Sequence, residues 1–90
     1  MNILDLADVL DKQITIKSYP NQGRRLCASF DHCETKDSKE SGVLCGSHGN
    51  GTTPIKALND YSGSISGKVL VFDAMTDDRS EFTCPKLDSL

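Results

Sequence analysis

Four apolar residues near the start of the chain recur with the spacing of one helical face. Asn2 precedes them and Asp5 follows three residues later, which is the arrangement of a helix capping box. The charged side chains of the same stretch fall on the opposite side. The pattern therefore predicts a short amphipathic helix over residues 3–11. Its expected buried face consists of Ile3, Leu6, Ala7 and Leu10.

The pattern then changes to strict alternation of apolar and polar positions over residues 13–19 and again over 26–30. Between them, Pro20–Gly23 has the composition of a turn. We therefore predict an antiparallel hairpin whose apolar side chains share one face, with Gly23 at a bulge. In the expected register Ile16 lies opposite Leu26, and Ile14 lies opposite Ala28.

A second helix is predicted directly after the glycine turn Gly49–Gly51. Thr53 is a good N-cap, because its hydroxyl can accept a hydrogen bond from a free N–H group of the first turn. Pro54 suits the first helical position, where its missing N–H costs nothing. Gly67 is well placed to end the helix. The expected buried face consists of Ile55, Leu58, Tyr61 and Ile65, with Ala57 at its edge.

Three further strands complete the predicted sheet. Val43–His48 follows a mixed-charge, solvated connection over residues 36–42. Val69–Phe72 is apolar on both faces, which is typical of a strand covered on both sides, and Glu81–Cys84 returns after a turn. The element order α-β-β-β-α-β-β predicts a two-layer α+β fold. We expect an antiparallel sheet of about five strands with both helices packed on one face.

Length and charge limit the possible functions. Ninety residues make one domain, 1–90, in which 86–90 is expected to be a loose tail. The formal net charge of −3 disfavours non-specific binding to nucleic acid. No apolar run approaches the roughly 18 residues of a membrane span, and no signal peptide is visible, so we expect a cytoplasmic protein, monomeric or a small homo-oligomer.

The cysteines and His48 do not predict a metal or a catalytic centre. Cys27 and Cys33 would lie roughly 20 Å apart on one extended strand, too far to share a zinc ion. Along a strand, Ser47 and His48 would point to opposite faces, which separates nucleophile from base. We therefore expect reduced thiols, of which Cys33 and Cys45 could be neighbours across a hairpin. The sequence predicts no enzyme activity, no cofactor and no metal.

The acidic side chains predict a protein-binding surface. Carboxylates on an exposed face can meet a basic partner through charge complementarity, and such a partner could itself bind nucleic acid. The residues expected to contact it are Asp31, Glu34, Asp37, Glu40, Asp77 and Asp78.

The strand–strand–strand–helix order with its Gly-x-Gly-x-Thr-Pro-x-x-Ala-Leu run resembles the HicB antitoxin pattern and, more distantly, the double-stranded-RNA-binding fold. Gly51, Thr53, Ala57 and Leu58 carry the HicB-like match. The resemblance implies a nucleic-acid-binding or regulatory module. The basic residues that such a module would use are Lys17, Arg24, Arg25 and Lys56.

Over most of its length the chain is also similar to small open reading frames of tailed phages and prophages. This similarity rests on the segments 14–21, 49–54 and 65–74. It implies a phage accessory protein without enzymatic activity. We therefore expect a binding protein, in one version an inhibitor of a host defence or regulatory protein in the manner of anti-CRISPR proteins. The alternatives are the HicB-like or RNA-binding-like module and a small structural subunit of the virion.

Overall fold

The computed structural model describes residues 1–90 as two helices and two three-stranded antiparallel sheets. The first sheet has the strand order β1-β2-β4 and the second β3-β5-β6. The predicted α+β class is confirmed. In chain order the elements are α1 (Ile3–Leu10), β1 (Ile14–Tyr19), a 3-10 turn (Pro20–Gln22), β2 (Arg25–Phe30), β3 (Cys33–Lys36), β4 (Gly49–Gly51), α2 (Pro54–Ile65), β5 (Val69–Phe72) and β6 (Ser80–Thr83).

The strands are divided between two sheets because the chain turns sharply after β2. His32 has a left-handed backbone with φ of 54°, and its carbonyl accepts a hydrogen bond from Asp73 at 2.9 Å. A strand cannot continue straight through a left-handed residue. Phe30 therefore ends a strand of the first sheet, and Cys33 begins one of the second. The sequence predicts about five strands in one sheet, and β3 is not among them.

The predicted hairpin is present, but its predicted register is wrong by two residues. Ile16 pairs with Ala28, and Ile14 pairs with Phe30. The loop spans residues 20–24, longer than expected, because both Gly23 and Arg24 adopt left-handed backbone conformations. A shift of two positions leaves every side chain on its expected face.

The strand predicted at Val43–His48 is wrong. Only Cys45 pairs there, through two backbone hydrogen bonds of 2.8 Å with Thr35. The strand of this region is instead β4, in the glycine stretch that was predicted to be a turn. Because Gly49 and Gly51 lack side chains, α2 can lie directly against them. Lys36, assigned to the solvated connection, is a buried residue at the end of β3.

The start of α2 is as predicted, and its buried face is partly different. The Thr53 hydroxyl accepts from the Lys56 N–H at 3.2 Å, and Pro54 is the first helical residue. Ile55, expected inside, is 57% exposed, whereas Ala57 is fully buried. The two residues lie about 200° apart around the helix, so burial of one turns the other to solvent. The small Ala57 is buried because it contacts the glycines of β4.

One core joins both sheets to both helices. The ring of Phe30 meets those of Tyr61 and Phe72 edge to face, at centroid distances of 6.0 and 5.5 Å. The predicted helix α1 contributes Ile3 and Leu6, and its Asn2–Asp5 capping box is formed. The predicted strand β5 is central in its sheet, and all four of its residues are buried.

The end of the chain makes specific contacts. The Leu87 N–H donates to the Ser66 hydroxyl at 3.0 Å, and the Leu90 N–H donates to the Asn59 side chain at 2.7 Å. Asp88 pairs with Asn2 at the start of α1. Neither helix has the length and apolar character that crossing a membrane requires.

Candidate functional site

The outer face of the first sheet is polar and lies on the side opposite α2. Residues of even number in β2, including Ala28 and Phe30, face the helix, so the odd-numbered residues face outward. Antiparallel pairing sets the outward residues of β1 beside those of β2. The directly opposed pairs are Tyr19 with Arg25, Lys17 with Cys27, and Thr15 with Ser29.

The segment Gly46–His48 forms one wall above this face and converts it into a cleft of about 420 Å³. Two contacts position the wall: the Ser47 hydroxyl lies 2.8 Å from the Thr35 hydroxyl, and Cys45 is paired to the Thr35 backbone. We call this recess the sheet cleft. It is lined by Thr15, Lys17, Tyr19, Arg25, Cys27, Ser29, Cys33, Gly46, Ser47 and His48.

The sheet cleft is positively charged although the chain is acidic overall. None of its lining residues is a carboxylate, whereas the chain holds thirteen Asp and Glu residues. Lys17 and Arg25 supply permanent positive charges, and neither belongs to any of the three salt bridges of the molecule. His48 adds an imidazole side chain to the lining. One carboxylate, that of Asp31, lies behind the lining and accepts a hydrogen bond from the Thr15 hydroxyl. Cations that form no salt bridge attract anions.

The Arg25 side chain places its guanidinium over an aromatic ring. Its guanidinium carbon lies 5.1 Å from the centre of the Tyr19 ring, within the range of a cation–π contact. Its Nε atom is enclosed and has no hydrogen-bond partner. A buried donor without an acceptor costs free energy, and it leaves the two terminal nitrogens as the donors that face a ligand.

The structure brings together two of the four predicted basic residues and separates the other two. Lys17 and Arg25 line the sheet cleft. Arg24 is exposed in the hairpin loop, and Lys56 is exposed on the first turn of α2, the helix that covers the opposite face. The sheet cleft is therefore a smaller basic site than the sequence predicted.

Tyr19 and His48 are cleft residues that sequence reasoning missed. Tyr19 could have been found, because it shares the parity of Lys17 on a strand that was correctly predicted. His48 could not, because its position depends on the contacts of the wall with β3, a strand that was not predicted.

The expected separation of Cys27 from Cys33 assumed one extended strand, and that strand is not present. The turn at His32 interrupts it, and both thiols line the sheet cleft. Ser47 and His48 also line it together, because their segment is not a strand. All four cysteines are free thiols, and no three His, Cys, Asp or Glu side chains are grouped to hold a metal ion.

Burial keeps two thiols protonated. Desolvation raises the pKa of Cys33 to about 12 and that of Cys84 to about 11. A neutral thiol is a weak nucleophile, so neither side chain is activated at neutral pH.

The structure divides the six predicted acidic contact residues into two groups. Asp37 and Glu40 follow β3 at one end of the second sheet. The other four lie towards the opposite end, since Cys33 pairs with Phe72 and the β5–β6 turn follows directly. A second cavity of about 430 Å³ opens there beside Met75, which is 93% exposed. The four carboxylates at this acidic end are Asp31, Glu34, Asp77 and Asp78.

In comparisons with known proteins, no protein-family model, no curated protein and no solved structure matches the chain.

Proposed function

We propose that this protein is a non-enzymatic nucleic-acid-binding module that binds phosphates in the sheet cleft. The observation that carries the proposal is that Lys17 and Arg25 both line one recess and that none of its lining residues is a carboxylate. Phosphate contacts from Lys and Arg supply most of the affinity of such proteins. The HicB-like and RNA-binding-like resemblance points to the same class of function.

The lining of the cleft favours binding over catalysis. The Ser47 hydroxyl is hydrogen-bonded to the Thr35 hydroxyl and not to His48. A serine nucleophile needs a base within hydrogen-bond reach, and this pair lacks that contact. The Ser29 hydroxyl lines the cleft beside the two cations and offers a further donor to phosphate oxygens, whereas the Thr15 hydroxyl donates to the Asp31 carboxylate.

The test compares two double variants of equal charge. Lys17→Gln with Arg25→Gln removes both cations of the cleft, and Arg24→Gln with Lys56→Gln removes two exposed cations outside it. Binding of labelled single-stranded and duplex oligonucleotides is measured by fluorescence anisotropy between about 20 and 200 mM salt. Thermal melts confirm that each variant is folded.

We expect the cleft variant to lose at least about tenfold in affinity and the matched variant less than about threefold. The salt dependence of wild-type binding should correspond to about two released counterions, with a slope near −1.4 for single strands. Equal losses of affinity in both variants would show that binding depends on net charge, and would reject the cleft as the binding site. Absence of binding to every oligonucleotide at low salt would reject the proposed function.

A second candidate function is binding of a basic protein at the acidic end. The observation that favours it is the position of Asp77 and Asp78 on the turn that carries the exposed Met75, beside a cavity containing Glu34 and Asp73. An exposed apolar side chain within a ring of carboxylates suits a partner with basic residues around an apolar spot. A host defence or regulatory protein inhibited in the anti-CRISPR manner would be such a partner.

This candidate is tested by reversing charge at the two ends separately. Asp77→Lys with Asp78→Lys changes the acidic end, and Asp37→Lys with Glu40→Lys makes the same charge change at the other end. Capture from lysogenic or infected cells should yield a protein that the first variant fails to retain and the second retains. Retention by both variants would contradict a partner at the acidic end.

A further inference from the structure

We infer that the sheet cleft receives the phosphate of a single-stranded nucleic acid, with the Arg25 guanidinium as a two-donor fork that Tyr19 holds in place. This inference rests on the proposed function and specifies its ligand. It makes Arg25 the principal contact residue and Tyr19 a positioning residue.

The terminal N–H groups of Arg25 are available for an anion. The guanidinium forms no salt bridge, and of its nitrogens only Nε is enclosed, which leaves the two terminal nitrogens open to a ligand. The Tyr19 ring fixes the guanidinium at 5.1 Å and so reduces the entropy lost when a ligand binds. A planar fork of N–H groups matches two oxygens of one phosphate, which an ammonium group cannot do.

The shape of the site favours a single strand over a duplex. The basic side chains lie in a recess between the sheet and the wall Gly46–His48. Duplexes carry their phosphates on a convex surface and are usually contacted by elements that protrude into a groove. Sheet faces that combine a basic groove with an aromatic side chain are typical of proteins that bind single strands.

The arrangement of charge favours a strand over a free nucleotide. A cleft of about 420 Å³ lies within the range of small-ligand pockets, so a free nucleotide phosphate is the other source of the same chemistry. However, Lys17 lies one outward position along β1 from Tyr19, about 7 Å away, and His48 stands on the wall. Cations spaced along a strand in this way suit successive phosphates better than one.

The experiment uses the full chain and three probes. These are a labelled oligothymidylate of about 12 nucleotides, its duplex with oligoadenylate, and thymidine monophosphate as a competitor. The variants are Arg25→Lys, which keeps the charge but loses the fork, and Arg24→Lys as the same exchange outside the cleft. The Nε–Hε resonance of Arg25 in ¹⁵N NMR spectra reports on the guanidinium that makes the proposed contact.

We expect the single strand to bind at least about tenfold more tightly than the duplex. Arg25→Lys should weaken binding of the single strand about tenfold, as expected for loss of a bidentate contact. Arg24→Lys should change affinity less than about twofold, because Arg24 lies outside the cleft and its charge is kept. Tyr19→Leu should weaken binding and broaden the Arg25 Nε–Hε signal. That signal should shift when the oligothymidylate is added to the wild-type protein.

The outcomes separate this inference from the proposed function. If duplex binds as well as single strand, or if Arg25→Lys binds like the wild type, the inference is overturned while the basic cleft remains a nucleic-acid site. If thymidine monophosphate binds as tightly as the oligonucleotide, the ligand is a nucleotide and the strand is rejected. If neither oligonucleotide binds at low salt, both proposals are overturned.

Discussion

The backbone of Gly49 lies against that of Tyr61, so closely that a Cβ atom added to Gly49 would fall 2.2 Å from the Tyr61 nitrogen. This contact brings α2 onto β4 and places the Tyr61 hydroxyl 3.1 Å from the Phe30 N–H in the core. The first sheet and its outer cleft therefore depend on a position where only glycine fits.

Replacement of Gly49 by alanine should destabilise the fold strongly. Because the added methyl group meets the α2 backbone at both Ala57 and Tyr61, the helix must move, and we expect a loss of about 3 kcal/mol or more in the free energy of unfolding. Gly63→Ala is the matched control: nothing lies within 4 Å of its added Cβ, and the helix should gain about 1 kcal/mol. Urea denaturation measures both, and similar effects of the two substitutions would contradict the close contact.

Removal of the Tyr61 hydroxyl should leave a buried donor without a partner. Tyr61→Phe keeps the ring against Phe30 but deprives the Phe30 N–H of its acceptor, which should cost about 1–3 kcal/mol. Tyr19→Phe, on the cleft face, removes a hydroxyl from a partly exposed ring and should leave the unfolding midpoint within experimental error. An unchanged midpoint for Tyr61→Phe would show that the hydrogen bond contributes nothing to stability.

The four thiols should react with iodoacetamide at very different rates. Cys45 is exposed and should be alkylated first, whereas Cys33 and Cys84 are shielded and their raised pKa values leave little thiolate. Mass mapping of samples taken over time at pH 8 gives the order of modification. In denaturant all four cysteines should react at similar rates, and early modification of Cys84 in the native protein would contradict its burial.

Stability should fall at alkaline pH because of the same two thiols. Their folded-state pKa values of about 12 and 11 exceed the unfolded value of about 8.5, so the native state retains protons that the unfolded state loses. The contribution of the two thiols to the free energy of unfolding is therefore complete below about pH 8.5. It decreases as the pH rises through their folded-state pKa values. The free energy of unfolding of Cys84→Ala should decline less steeply between pH 8 and 10.5 than that of the wild type. Parallel curves of stability against pH would argue against the Cys84 thiol as a cause of the decline.

Glu81→Gln should destabilise the protein more than Lys36→Met. The Lys36 ammonium is 5% exposed and donates to Glu81 at 2.8 Å and to the Lys39 carbonyl at 2.9 Å, whereas Glu81 is 32% exposed and also contacts Arg79. Loss of the carboxylate leaves a buried charge, whereas loss of the ammonium leaves a carboxylate that Arg79 and water can still solvate. The urea midpoints of the two variants are compared at pH 7. A lower midpoint for Lys36→Met than for Glu81→Gln would contradict the argument that an unpaired buried charge is the larger loss.

Hydrogen bonds from Lys36 and then Arg79 lower the pKa of the Glu81 carboxyl below its ordinary value. A lowered folded-state pKa contributes stability that is present above the unfolded value of about 4.3 and is lost as the pH falls below it. The difference in stability between the wild type and Glu81→Gln should therefore shrink in acid. A difference that stays constant down to pH 3 would exclude the ion pair as its source.

Local rules of the chain were enough to predict most elements. Asn2 and Asp5 set the start of α1, and Thr53 with Pro54 set the start of α2, because a capping residue acts on N–H groups only two or three positions away. The apolar stretch of β5 and the alternation of β2 likewise predicted buried side chains, whereas β1 is only partly covered and its Ile16 is 38% exposed.

Non-local contacts decided the division into two sheets and the form of the cleft. The sequence by itself determined two capped helices, the apolar strands and the parity that places Lys17 and Arg25 on one face. Only the tertiary structure decided that the chain turns at His32, that β4 lies beneath α2, and that Gly46–His48 forms a wall. These features depend on packing between residues distant in sequence, such as Gly49 against Tyr61, which no local pattern of side chains encodes.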